Sequence, residues 1–278
     1  MNTPGRVGLV QLCATHDVAA NVARCLELIR DAAAAGAGVI LLPEACTFIG
    51  PDAEKRAMLE PVSTDPITSP LLAAFSALAK ELAVELLIGH HECGPASAPE
   101  KSYNTLVHLD RQGAVQSSYR KIHLFDVDLP DGTQLKESAK TLPGTEIVTT
   151  ETTFGTLGLS ICYDVRFPTL YQALASRGAV ALCVPSAFTA ATGAAHWHTL
   201  LRARAIETQC FVLAPAQHGA HNKKRRSYGH SLIVDPWGEI IAEGADGDGV
   251  VTADLNLERL STIRRQLPSL EHRVDLGS

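Results

Sequence analysis

Three residues at the ends of three apolar runs have the types needed to attack a carbonyl. Cys162 follows the strand-like run TLGLSI and precedes Tyr163-Asp164-Val165-Arg166-Phe167-Pro168, after which a helix begins. A nucleophile on such a strand-to-helix turn is held out above a sheet edge. The backbone N–H of the next residue, Tyr163, then points where an oxyanion would form. Glu44 follows the run VILLP, where partial desolvation is expected to raise a carboxylate pKa. Lys121 lies in YRKIHLF, just past another run. A thiol needs a base or a cationic neighbour to ionise near neutral pH, and none of the eleven histidines can be matched to Cys162 from sequence. Taken singly, these positions also read as a buried strand-end thiol and two surface charges. Three such groups at three strand ends fit the rule that active sites of open α/β sheets lie outside the strand ends.

The elements that position them alternate short strands with helices. Val7–Leu12 reads as a strand. Asp17 caps a helix running to about Ala35, with Val18, Val22, Leu26 and Ile29 on one face. Val39–Leu42 is a continuous apolar run, the mark of a strand buried on both faces. Ser69-Pro70 is an N-cap with proline at the first helical position, followed by Leu71, Leu72, Phe75, Leu78 and Leu82 at helical spacing. Glu85–Gly89, Asn104–Leu109 and Ala114–Ser118 read as strands. In the second half Thr156–Ile161, Val180–Val184, Phe211–Ala214 and Val250–Asp254 are strands. Thr169–Arg177, Ala195–Thr208 and Leu257–Arg265 are helices. Ser231–Asp235 and Glu239–Glu243 form a hairpin around Pro236-Trp237-Gly238. With no Pro-, Gly- or Ser-rich linker and no repeat, a single α/β domain over 1–278 is expected.

Composition narrows the function. The chain has 278 residues, 46% of them hydrophobic and 19% charged, with a net charge of −6. That is ordinary globular composition and excludes disorder, collagen and coiled coil. The acidic balance argues against a nucleic-acid partner. Seven cysteines with no CxxC point to reduced thiols and a reducing, cytoplasmic setting. No segment is long and apolar enough for a membrane span, and the N-terminus lacks the features of a signal peptide. His196 and His198 form an HxH, but residues two apart on a helix point in different directions, so no metal is expected there.

The segments LLPEACTF (41–48), YRKIHLFDVDLP (119–130) and LSICYDVRFPTLY (159–171) resemble, in order and spacing, the catalytic blocks of the nitrilase or carbon–nitrogen hydrolase superfamily. The resemblance continues through 185–217 and 228–243 and covers essentially the whole chain. It implies an αββα sandwich that pairs into a four-layer αββα–αββα homodimer, with 256–278 at the interface. It implies Glu44 as general base, Lys121 as oxyanion stabiliser and Cys162 as nucleophile. A second carboxylate matches Glu137 in LKES and would orient Lys121 or the incoming amide. The implied reaction splits a carboxamide of a 2-oxo acid through a thioester, Glu44 giving a proton to the leaving ammonia, without cofactor or metal. Within the superfamily, AQHGAHNKKRRSYGHSLIVDPWG (216–238) and RRQLPSLEHR (264–273) resemble the branch acting on deaminated glutathione. The alternatives are ω-amidases and N-carbamoyl-amino-acid hydrolases. The expected partner is a small anionic amide. The substrate-binding candidates are Tyr163, Arg166, Phe188, Thr189, Lys224 and Arg226. For Arg166 the competing reading is an ion pair with Asp164, and for Lys223–Arg226 a solvated charge run.

Overall fold

The computed structural model describes residues 5–63, 67–128 and 134–274. Its first half runs β1 (Arg6–Gln11), α1 (Val18–Ala34), β2 (Val39–Leu41), α2 (Asp52–Arg56), α3 (Pro70–Leu82), β3 (Glu85–Cys93), β4 (Ser102–Leu109) and β5 (Val115–Arg120). A small hairpin, β6 (Asp126–Asp128) and β7 (Gln134–Lys136), follows. The second half runs β8 (Thr149–Thr152), β9 (Gly155–Leu159), α4 (Pro168–Ser176), β10 (Ala181–Cys183), α5 (Ala190–Thr208) and β11 (Phe211–Ala214). A second small hairpin, β12 (His218–Ala220) and β13 (Arg226–Tyr228), precedes β14 (Leu232–Val234), β15 (Ile240–Glu243), β16 (Gly249–Asp254) and α6 (Leu257–Gln266).

Two six-stranded sheets result, in the orders β16-β1-β2-β3-β4-β5 and β15-β14-β11-β10-β9-β8. Each has three parallel strands at its centre and antiparallel strands outside them. Helices α1 and α3 cover the first sheet, and α4 and α5 the second. The architecture is therefore the αββα sandwich expected. Period-two alternation explains why its central strands read as continuous apolar runs. Leu9, Val39, Leu41 and Leu87 face the second sheet and join a core with Leu157, Leu159 and Leu182. Their neighbours Val10, Ile40, Leu86 and Ile88 face the helices, against Cys25, Leu28, Leu72 and Phe75.

Helix α1 is capped as expected, the Asp17 side chain accepting the Ala20 N–H. Its buried face differs, however. Asn21, Cys25, Leu28, Ile29 and Ala32 point inward, while Val18, Val22 and Leu26 are only partly covered. Asn21 overrides the apolar stripe because its amide donates to the carbonyls of Thr15 and Thr47, tying the helix start to the loop after β2. Helix α5 begins five residues earlier than its apolar pattern, at Ala190 rather than Ala195. Its first turns are small residues, and Gly193 lies where a Cβ would meet Tyr228 at 2.3 Å. Strand β3 continues past Gly89 to Cys93 and carries His90 and His91 as buried residues.

Candidate active site

Glu44 lies just beyond β2, Lys121 just beyond β5 and Cys162 just beyond β9, so the two sheets bring three strand ends to one cavity. All three residues are buried. The turn carrying Glu44 lies close over β3: a Cβ on Gly89 would come within 2.8 Å of the Pro43 carbonyl oxygen and 3.1 Å of the Glu44 Cα. Glycine is the residue that admits this approach. Ala45 at φ 55° and Cys162 at φ 48° are both in the left-handed region, a costly conformation for residues with side chains and one that gathers at functional sites. Cys162 opens a short 3₁₀ turn, Cys162–Arg166. Its own N–H donates to the Pro185 carbonyl at 3.0 Å.

Asp164 fastens that turn. Its buried carboxylate accepts the Ile161 N–H at 2.9 Å, the Tyr119 hydroxyl at 2.7 Å and the His123 N–H at 3.0 Å, and Oδ1 lies 2.7 Å from His123 Nδ1. The nucleophile turn and the lysine block are thus held in register by one side chain. Sequence reading had Asp164 only as a pairing option for Arg166.

The cavity floor is a closed polar network. Lys121 Nζ donates to Glu44 Oε1 at 3.0 Å and to Glu137 Oε2 at 2.9 Å. The Asn104 amide nitrogen donates to the same two carboxylates, at 2.7 and 3.1 Å. Glu44 Oε2 accepts the Ala187 N–H at 2.8 Å, and the Gln217 amide holds the Glu44 carbonyl at 3.0 Å. The Phe125 N–H donates to Glu137 Oε2 at 2.7 Å. The Cys162 thiol lines the same cavity beside the Glu44 carboxylate.

This network sets the charges. Burial pushes Glu44 up, as its position in sequence suggested. The Lys121 charge, helped by the neighbouring Cys162 thiol and by hydrogen bonds from Ala187 and Asn104, outweighs burial and holds the carboxyl at about 2. The expectation of a raised Glu44 pKa is therefore corrected: a buried carboxylate touching a buried ammonium stays ionised. Burial pushes Lys121 down, but Glu44 and Glu137 carry it well above the ordinary lysine value. Burial and the Glu44 charge raise the Cys162 thiol, against the pull of Lys121. The resting site is a neutral thiol facing a carboxylate, beside a fixed positive charge.

The binding candidates divide. Thr189 lines the cavity. The side chains of Tyr163, Arg166 and Phe188 do not. The Arg166 guanidinium lies 5.2 Å from the Phe188 ring centre and 5.9 Å from that of Tyr163, and it contacts His196 Nδ1 at 3.3 Å. It neither forks a carboxylate in the cavity nor pairs with Asp164, whose oxygens are already taken. Phe188 packs against Trp197 at 5.1 Å, and Trp197 is core, its indole N–H donating to the His230 carbonyl. Lys224 and Arg226 are corrected as well. Both are exposed, and the residue of that loop that reaches the cavity is Arg225. Alternation along the start of β13 turns Arg225 inward and Arg226 out. His196 and His198 diverge as expected, His198 reaching Glu243 at 3.0 Å.

Asn104, His91 and Lys55 line the cavity without having been singled out in the sequence, and Arg225 is the member of the Lys223–Arg226 run that reaches it. A polar residue inside the apolar run NTLVHL was the available signal for Asn104. His91 Nε2 donates to the Phe48 carbonyl at 3.1 Å, and its Nδ1 has no partner among the described residues. Burial and the nearby Lys55 charge push the His91 pKa well down, so the ring is neutral and Nδ1 is a vacant acceptor. All seven cysteines are free. The lysine block's last two residues, 129–130, and residues 275–278 of the tail lie outside the described residues.

Residues 6–265 match the family model for carbon-nitrogen hydrolases. The chain is 44% identical over 270 residues to the deaminated glutathione amidase of Bos taurus, covering 96% of this chain and 81% of that one. It is 41% identical over 273 residues to a protein of the same name from Synechocystis sp., covering 98% of each. The crystal structure of the C. elegans NitFhit protein matches with a TM-score of 0.90 at 38% identity, over 100% of this chain and 67% of that one.

Proposed function

The chain belongs to the carbon–nitrogen hydrolase family and is an amide hydrolase, and on that footing we propose that it cleaves deaminated glutathione through a thioester on Cys162. The observation that carries the chemistry is the single carboxylate, Glu44, held by Lys121 at 3.0 Å in the cavity that the Cys162 thiol also lines. As Cys162 attacks the carbonyl, its proton passes to Glu44. The oxyanion that forms is met by Lys121 and by the Tyr163 N–H, which lies at the start of its turn where helical geometry leaves the first N–H groups without partners. One such donor is worth about 3 kcal/mol of barrier. Glu44 protonates the departing nitrogen and then draws a proton from the water that attacks the thioester. Glu137 shares Lys121 with Glu44 and keeps it charged throughout.

In glutathione whose amino group has become an oxo group, the scissile nitrogen belongs to a cysteinylglycine unit. The leaving group is therefore a dipeptide amine, where the sequence suggested ammonia. The cavity suits an anion. Lys55, Lys121, Lys136, Lys140 and Arg225 line it against Glu44, Asp52 and Glu137, and two of those acids are already engaged by Lys121. The names of the relatives point the same way.

The test is kcat/KM on deaminated glutathione against 2-oxoglutaramate, with release of the amine or ammonia measured. A clear preference for the larger amide is expected; equal rates or a preference for the small one would defeat the substrate assignment. The homodimer belongs to the same proposal. Ile206 on α5 and Leu257 and Leu267 at α6 are exposed apolar side chains that a second copy would cover, and light scattering should give twice the chain mass.

A further inference from the structure

We propose that Lys55 and Arg225 form a carboxylate clamp at the cavity mouth that receives the acidic end of the substrate's amine half; the idea rests on the amidase reading above and adds a subsite to it. The two residues come from unrelated segments, Lys55 from α2 and Arg225 from the turn joining β12 to β13, yet both line the cavity that holds Cys162. Both are half-buried, whereas Glu44, Lys121 and Cys162 are buried. This gradient places the pair at the mouth and the thiol at the floor.

Several arginines elsewhere are paired with carboxylates, Arg6 with Asp254, Arg24 with Asp248, Arg30 with Glu81, Arg120 with Glu92 and Arg259 with Asp235, while others, such as Arg202 and Arg264, are satisfied by backbone carbonyls. Neither Lys55 nor Arg225 has a carboxylate within 4.0 Å among the described residues. Both face the same cavity. Burial, joined by the Arg225 charge, lowers the Lys55 pKa against the opposing pull of Glu137, Asp52 and Glu44. Two half-buried like charges without a partner are unfavourable by themselves and become favourable with an anion between them. Lys136 and Lys140 also border the cavity but are exposed, and water satisfies them without a ligand.

The clamp is pre-shaped. Asn222 Oδ1 accepts the N–H groups of Lys224 and Arg225, both at 2.9 Å. His221 anchors the hairpin through the Ala14 carbonyl at 2.7 Å and the Ser227 hydroxyl at 2.8 Å. A planar guanidinium on a fixed turn suits carboxylate recognition. Small 2-oxo acid amides have no amine-side carboxylate and cannot use the clamp, so it separates the larger substrate from the small one.

Calorimetric binding to the full-length Cys162→Ala chain tests this without turnover, using deaminated glutathione and the analogue whose terminal glycine carboxylate is a carboxamide. The carboxylate form should bind about tenfold tighter. Adding Arg225→Gln or Lys55→Gln should reduce that preference to about threefold or less, and Lys224→Gln should leave it intact. A preference that survives both clamp substitutions, or no preference at all, overturns the clamp. Turnover of the unmodified chain is read in a separate assay, so an amidase lacking the clamp and a clamp lacking amidase activity give different results.

Discussion

The floor and the mouth of the cavity obey different rules. On the floor, Glu44, Lys121, Glu137 and Asn104 satisfy one another in a closed network beneath Cys162. At the mouth, Lys55 and Arg225 stand half-buried with no carboxylate of their own among the described residues. A finished network holds a fixed electrostatic arrangement for a reaction; an unfinished one waits for a ligand to complete it. Reaction type therefore resides in the floor, and choice of substrate in the mouth.

The largest expected effect comes from breaking the floor. Lys121→Met leaves the buried Glu44 carboxylate and the partly buried Glu137 carboxylate without the cation they share. Turnover should fall about a thousandfold or more, and urea unfolding should show a loss of about 3–5 kcal/mol, the cost of stranding buried charge. Retention of wild-type stability would show that the network is not closed as described.

A smaller effect follows from Glu44. Its carboxyl is held at about 2 in the folded chain, below its ordinary value of 4.5. Between those values the unfolded chain binds a proton that the folded chain does not, so stability falls as pH drops. The Glu44 contribution is complete above pH 4.5 and is lost on the way down to about 2. The difference in urea midpoint between wild type and Glu44→Gln should therefore shrink between pH 6 and pH 3. A gap independent of pH would contradict the charged resting state. The smallest effect sharpens the comparison from the other side. Lys224→Gln, one residue from the clamp but exposed, should change stability by less than about 0.5 kcal/mol and KM by less than about twofold.

The same division governs what could be read in the sequence. Floor residues end periodic strands, so Val39–Leu42 announced the turn of Glu44 and TLGLSI the turn of Cys162. Asp164 and Gln217 support them through contacts between the sheets and Asn104 through a contact within the first sheet, and their roles depend on strand register, which has no local signal. The mouth was the least legible part. Helix α2 and the pairs β6–β7 and β12–β13 are three to five residues long and largely polar, too short for any periodicity. The basic run Lys223–Arg226 was visible as a charge cluster, but only the turn's geometry selects Arg225 from it. Composition could not show that Arg166 would stack over aromatic rings beside the cavity instead of entering it.

The central claim is that Cys162, among seven free thiols, is the one that bonds to the substrate. Acid quenching during turnover of deaminated glutathione, followed by peptide mass spectrometry, tests it most directly. The account predicts the 2-oxoglutaryl mass on the peptide containing Cys162 and on no other cysteine peptide, with neither adduct nor turnover in Cys162→Ala. An acyl group on another thiol, or turnover by Cys162→Ala, would contradict it.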